Sequence, residues 1–330
     1  MKKLLKYVVL MLLVTGDSLA HAEWAFKADN AGYYTDDVAL FSATRRLSLK
    51  DDPTQPNIDK TGQGSDFIYE PSLEAEWTGH NSFGEMSFAA DAGGYVFTNQ
   101  TAFTHGLFDF EAAQSFETNT KLSLHYNFVP DLFLGKNTFM QPTGEEVEHD
   151  EILTSHYWSF HVDQKLTHDV TFRLLSRYGL RNYNAPFVHR DTQFWTIGSH
   201  LEWEINEDVE FLIGYHYEKG SAEHHRAAHF PDDLSYTNHY ASGELKVKLL
   251  EKLTANFIFD YEHNASMSHI EEDERFGANE NIYQGEFELE YELTHSTELK
   301  LGWQHGNRRL STEMANVKNN NVWLGFEYKF

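Results

Sequence analysis

The sequence predicts an all-β fold: an antiparallel up-and-down β-barrel that crosses a membrane, with about 14 strands and a range of about 12–16. Three observations carry this. The stretch Asn321–Phe330 alternates strictly. Its even positions are Val322, Leu324, Phe326, Tyr328 and Phe330, and its odd positions are Trp323, Gly325, Glu327 and Lys329. A period of two is a strand with one apolar and one polar face. Short and long polar connections alternate along the chain. A leader suited to export stands at the front, and no later apolar run is long enough to span a bilayer as a helix.

The leader is residues 1–22, and the barrel is expected over 23–330. Lys2, Lys3 and Lys6 make a basic start, Leu4–Val14 is mostly apolar, and Ala20-His21-Ala22 fits a small-x-small cleavage site. The chain carries 26 basic against 51 acidic side chains, a net charge of −25, which argues against nucleic acid as a partner. Mean hydropathy is −0.55. A barrel gives such a value because half of each strand is polar. With no cysteine there is no disulfide, acylated cysteine or covalently attached haem, and no cofactor is expected. The 25 Phe, 17 Tyr and 7 Trp suit strands with aromatic belts at the membrane surfaces.

Short turns are read at Gly79–Ser82, Val129–Asp131, Thr167–Asp169, Asn206–Asp208, Glu251–Lys252 and Thr294–Ser296. Longer polar stretches are read at Lys50–Asp66, Asn99–Gly106, Gln141–Glu151, Asn182–Arg190, Gly220–Ser235, Asn264–Asn279 and Arg309–Asn319. Together they join fourteen strands and bring both ends of the barrel to one side.

The faces separate well in the second half. Tyr283, Phe287, Leu289, Tyr291 and Leu293 oppose Gln284, Glu286, Glu288, Glu290 and Glu292. Leu253, Ala255, Phe257, Phe259 and Tyr261 oppose Thr254, Asn256, Asp260 and Glu262. Trp195, Ile197, Leu201, Trp203 and Ile205 oppose His200, Glu202 and Glu204. Val170, Phe172, Leu174, Tyr178 and Leu180 oppose Arg173, Arg177 and Arg181, while Ala241, Leu245, Val247 and Leu249 oppose Glu244, Lys246 and Lys248. A slip of one residue would move a row of charges into lipid, which fixes the register. The first third is less regular. A first strand lies somewhere in 24–48, interrupted by Arg45-Arg46, and 107–128 is long for one strand. Ala89–Gly94 is built of small residues around Asp91, which reads as a bend or bulge, as room for a folded-in segment, or as a subunit contact.

The inward charges are the candidate pore lining: Arg173, Arg177, Arg181, Glu202, Glu204, Lys246, Lys248, Asp260, Glu262, Glu286, Glu288, Glu290 and Glu292. An acidic ladder and a basic ladder five strands apart would face one another obliquely across an open lumen and bias its ions. The alternative is pairing in a filled interior; fourteen strands favour the open lumen. His224, His225 and His229, beside Asp232 and Asp233, read as a solvated loop, a pH gate, or a Zn²⁺ or Cu²⁺ site. Ser155-His156 and Ser199-His200 are adjacent pairs that point to opposite faces, so neither is a catalytic pair, and no enzyme is expected.

The leader, the alternating connections, the two-faced strands and the terminal Phe326, Tyr328 and Phe330 together resemble the β-barrel porins of Gram-negative outer membranes. The resemblance covers the whole mature chain and rests on architecture. It implies passive transport of small hydrophilic solutes or ions. It also implies contact with outer-membrane lipid and lipopolysaccharide, and a C-terminal signal read by the barrel-assembly machinery. Because the inward carboxylates outnumber the inward bases, weak selectivity for cations is expected. A second reading makes the barrel a scaffold for a partner, such as a periplasmic multihaem cytochrome or an exported polymer. N-terminal sequencing of the membrane-inserted protein is expected to begin at Glu23; a retained Met1 would reject the cleavage.

Overall fold

The computed structural model describes residues 23–45, 63–140, 145–222, 232–271, 273, 275–312 and 316–330. The leader therefore lies outside the described residues, as do His224, His225 and His229. Fourteen strands close into one antiparallel barrel in sequence order. They are β1 (Glu23–Thr35), β2 (Asp66–Asn81), β3 (Gly84–Phe97), β4 (His105–Phe116), β5 (Thr120–Met140), β6 (Glu146–Lys165) and β7 (Val170–Tyr183). The second half is β8 (Thr192–Asn206), β9 (Val209–Ala222), β10 (Tyr236–Leu250), β11 (Leu253–Ser266), β12 (Asn279–Thr294), β13 (Thr297–Leu310) and β14 (Val317–Lys329). One helix, α1 (Val38–Arg45), follows β1. No described helix is long and apolar enough to cross a membrane.

Every strand has 12 or more residues, enough for the roughly 9–11 that a tilted membrane strand needs. The short turns share one rim with both ends of the barrel, and the long connections share the other, outer rim.

Exposure is inverted relative to a protein that folds in water. Leu324, Phe259, Leu301 and Ile197 are 61%, 57%, 52% and 50% exposed, whereas Asp260 and Glu262 are 0% exposed. Apolar side chains over a whole outer wall are tolerable only where the surroundings are themselves apolar. The polar side chains turn inward, as the alternation of the second half predicts.

The first strand, expected somewhere in 24–48, is Glu23–Thr35, and Val38–Arg45 after it is α1. Two expectations of the first half are corrected. Val129-Pro130-Asp131 is not a turn. It is a bulge inside β5, where pairing to β6 shifts between Val129 and Leu132 and Asp131 takes a φ of 49°. Proline cannot give a ladder hydrogen bond, and the bulge leaves its nitrogen unpaired. The real turn is Glu117–Asn119, with Asn119 at a φ of 60°, so 107–128 holds most of β4 and the start of β5. The strand count is unchanged because one turn replaces the other. Ala89–Gly94 forms no bend: β2 and β3 keep the same register on either side of it.

Closure depends on β1 and β14. Nine register pairs join them, from Lys27↔Lys329 to Thr35↔Asn321. The seam ends in two backbone hydrogen bonds, Phe330 N–H to Phe26 O at 3.0 Å and Phe26 N–H to Phe330 O at 3.2 Å, under rings stacked 5.9 Å apart. Deleting Phe330 removes both bonds and the stack, so the heat-modifiable folded form in outer membranes is expected to fall. Phe330→Ala keeps the backbone bonds and should be milder. Full folded yield from the deletion would show that the seam does not need its last residue.

Candidate pore and its outer closure

The structure places all thirteen expected lining residues on inward strand positions and gives most of them partners on the wall. On β7, Arg173 binds Asp163 of β6 at 2.5 and 3.2 Å. Arg177 Nε donates to Ser159 Oγ at 3.0 Å, and its guanidinium lies 5.0 Å from the Tyr157 ring. Arg181 donates to Tyr236 Oη at 2.6 Å, pairs with Glu218 at 3.5 Å and covers the Phe194 ring at 4.4 Å. Gly179 makes room for that stack, since a Cβ there would meet the Phe194 ring at 2.1 Å. The basic ladder is thus laid against its own wall.

The acidic side differs. Glu290 pairs with Lys246 at 3.5 Å, but Glu286 accepts from Gln304 at 2.8 Å and Glu288 from the Trp323 indole at 2.7 Å. The donors to those two carboxylates, an amide and an indole, are neutral. Asp260 accepts from Tyr240 at 2.7 Å and Gln284 at 3.1 Å, and Glu262 accepts from Asn238. Both are fully enclosed. Glu202, Glu204, Lys248 and Glu292 lie near the short-turn rim. Further carboxylates line the other wall. Glu74 and Asp29 share Lys27 at 2.6 and 3.8 Å, and Glu111 pairs with Lys121 at 3.1 Å.

Two histidine pairs went unrecognised in the sequence. The His125 and His161 rings lie 4.4 Å apart, tilted by 35°, and His200 Nε2 lies 2.6 Å from His216 Nε2. Gly198 leaves the space for His216, whose ring would meet a Cβ there at 2.3 Å. Their common signal is inward parity on β5, β6, β8 and β9. The adjacent Ser-His pairs do point to opposite faces: His156 is outward, bonded to Tyr126 Oη at 2.8 Å, while Ser155 is buried. Among the described residues no cluster of three or more metal-ligating side chains forms.

The main feature invisible to the sequence reading is α1, which folds into the outer mouth. Asp37 caps it, accepting from the Ala39 N–H at 3.1 Å. Asn319 of β14 ties its entry down, donating to Thr35 at 3.1 Å and Asp36 at 2.8 Å. Val38 and Phe41 pack with Tyr33, Ile68, Phe97, Phe103 and Trp323, from the wall around the seam. Ala39 packs with Val129, Leu132, Leu153, Tyr183 and Phe187, from β5–β7 and the loop after them. Val38, Ala39, Leu40 and Phe41 are all buried. An apolar layer therefore crosses the outer lumen above the polar wall.

Loop side chains clamp this layer. Arg190 binds Glu151 at 2.6 Å and Asp232 at 2.5 Å, and Asp232 also receives His189 at 2.7 Å and Arg275 at 3.5 Å. Phe187 lies under Arg190, 5.1 Å from its guanidinium, and touches the α1 cluster.

Solved structures share this architecture. The outer-membrane channel DcaP of Acinetobacter baumannii is 9% identical, with 96% of this chain and 100% of that chain covered at a TM-score of 0.53. The chain has the fold of an outer-membrane channel. An anion-selective porin from Comamonas acidovorans (10% identical, 94% and 99% covered, TM-score 0.48) and OmpT, an outer membrane protein of Vibrio cholerae (11%, 94% and 99%, 0.48), are also similar. No family model and no curated protein sequence matches. In outer-membrane barrels the longer connections face outward, and α1 lies at the end of this barrel that carries them.

Burial raises the Asp232 carboxyl, but the His189 hydrogen bond and the charges of Arg190, His189 and Arg275 outweigh it and hold the group well below the ordinary carboxylate range. A depressed folded value stabilises fully above the unfolded value, 3.8, and is lost as pH falls through the folded one. The clamp is therefore expected to hold from neutral pH down to about pH 4 and to open only in stronger acid. Limited proteolysis of the outer loops should be slow over that range in the parent and fast throughout in Asp232→Ala. Equal rates in both would mean that Asp232 does not hold the loops.

Proposed function

We propose that this chain, exported with removal of residues 1–22, is a passive outer-membrane channel for small hydrophilic solutes or ions, with a modest preference for cations. The observation that supports the cation preference is the balance of charge at inward positions. Of the thirteen lining residues, Glu202, Glu204, Asp260, Glu262, Glu286, Glu288, Glu290 and Glu292 are acidic and Arg173, Arg177, Arg181, Lys246 and Lys248 are basic. The excess is acidic, and wall charges act on ions within a screening length of about 8 Å at physiological salt.

Ions would enter from the short-turn rim past Glu202, Glu204, Lys248, Glu290 and Glu292. At the outer end they would pass beside α1, which narrows the mouth on the side of β14–β7. The loop histidines His224, His225 and His229 stay a proposal for a pH gate or metal site, weighed against a solvated loop. The roles of Phe326, Tyr328 and Phe330 as the assembly signal rest on their outward aromatic faces at the closing strand.

Single-channel recording in planar bilayers under a salt gradient tests the reading. The parent should show a reversal potential of cationic sign that grows at low salt. Changing Glu286, Glu288, Glu290 and Glu292 together to Gln should move it toward zero without loss of folded barrel. An anionic reversal potential in the parent would place the arginines, not the carboxylates, at the narrowest point. Absence of conductance in the parent and in a variant with Phe41→Ala would favour the scaffold reading.

A further inference from the structure

The outer wall over β9–β13 carries a pattern that conduction does not use. Outward positions on these strands include no Asp or Glu, in a chain with 51 acidic side chains. Their only fixed charges are Lys219 and Arg309. Near the outer rim, Tyr217, His239, His263, Asn281 and Arg309 are successive register partners across five strands, forming one continuous outward row.

The row is chemically prepared. Tyr215 Oη lies 2.7 Å from His239 Nδ1. When that hydroxyl donates, Nε2 carries the ring's hydrogen and is left to donate outward. His263 Nδ1 lies 3.0 Å from Asn281 Oδ1, which also accepts from Tyr261 Oη at 2.9 Å. The His239 and His263 rings are 6.4 Å apart. A guanidinium in the same row as two imidazoles, with Asn281 between them, suits a phosphate better than a neutral headgroup.

Two rows deeper into the membrane the wall is notched. The register row there reads Ile213, Gly243, Phe259, Gly285. A Cβ at Gly243 or Gly285 would meet nothing within 4 Å, so neither glycine is there to avoid a clash. Around Gly243 the wall forms a groove of about 410 Å³, lined by Phe172, Leu201, Ile213, Ala241 and Phe259. The groove faces the hydrocarbon, and its outer end lies below the histidine row.

We propose that the wall over β9–β13 is a binding site for a phosphorylated glycolipid of the outer leaflet, with an acyl chain in the Gly243 groove and a phosphate against His239, His263 and Arg309. The occupant follows from the position. An apolar groove at membrane depth takes an acyl chain, and a row at headgroup depth that carries the Arg309 guanidinium and two imidazoles but no carboxylate takes an anionic headgroup. The site lies outside the lumen and does not rest on the channel reading.

Native mass spectrometry of the full barrel in detergent, mixed with bisphosphorylated hexa-acyl lipid A, tests it. The parent should retain the lipid, and should not retain phosphatidylethanolamine or dephosphorylated lipid A to the same extent. Gly243→Leu fills the groove, and the combined change His239→Gln, His263→Gln and Arg309→Gln removes the phosphate contacts. Each should lower retention by about tenfold, the scale of losing charge-assisted contacts. Ala90→Leu on β3, at the far wall, should leave retention unchanged. Parental retention in Gly243→Leu, equal retention of phosphatidylethanolamine, or an equal loss in Ala90→Leu would overturn the site. Ion selectivity should be the same in all of these variants, which keeps this test separate from that of the channel.

Discussion

Everything in this molecule depends on the seam between β1 and β14. In hydrocarbon no water is present to satisfy a free N–H or C=O, and each such group costs several kcal/mol. An open sheet would leave two whole edges bare. Pairing from Lys27↔Lys329 to Thr35↔Asn321 removes both edges at once. Once the sheet is closed the wall separates two solvents, and the two-residue period of each strand sorts side chains between them. That is why the register of the charged strands is so strongly determined. A slip would carry Glu286, Glu288 and Glu290 from water into lipid, and Arg or Lys at mid-membrane costs about 2–4 kcal/mol, with Asp and Glu less.

This sorting also explains which parts of the fold were legible in the sequence. From β7 to β14, polar and apolar residues alternate because one side of the wall is wet and the other greasy. At the outer ends of β1, β2, β3 and β6 that contrast disappears. Tyr33 and Tyr34, Phe67 and Ile68, Val96 and Phe97, and Ile152 and Leu153 are apolar on both faces, one member toward lipid and the other toward the α1 layer. A strand that packs apolar residues on each side has no period of two, so the first third read as irregular. The helix itself was hidden for a related reason: eight residues are too few to establish a period, and its cap, Asp37, sits in a run that also reads as a loop. The turn at Glu117–Asn119 was missed because it holds neither Gly nor Pro, while Val129-Pro130-Asp131 offered both a proline and an aspartate inside a strand.

The candidate site divides in the same way. Inward charges could be listed from parity alone, and all of them lie inward. Their pairing could not be listed, because it depends on neighbours on other strands: Arg173 with Asp163, Arg181 with Glu218 and Tyr236, Glu288 with the Trp323 indole. Gly179, Gly198 and Gly302 belong to the same account. Each leaves a hollow that an aromatic or imidazole ring from the next strand fills, with Trp323 lying over Gly302 as Phe194 lies over Gly179. A glycine in a strand normally weakens it; here it lets a large ring lie flat on the wall and hold the neighbouring charge in place.

The helix in the mouth has a consequence for the order in which the molecule is made. Its cluster takes Tyr33 from the first strand and Trp323 from the last, and its entry is tethered by Asn319. None of these partners stand together until the two ends of the chain have met. An unfinished barrel, however many strands it has joined, therefore lacks the Trp323 ring and the Asn319 tether that complete the seat of α1. Completion of the wall and obstruction of its mouth become a single event, and a half-built barrel is distinguishable from a finished one by a helix still exposed to protease.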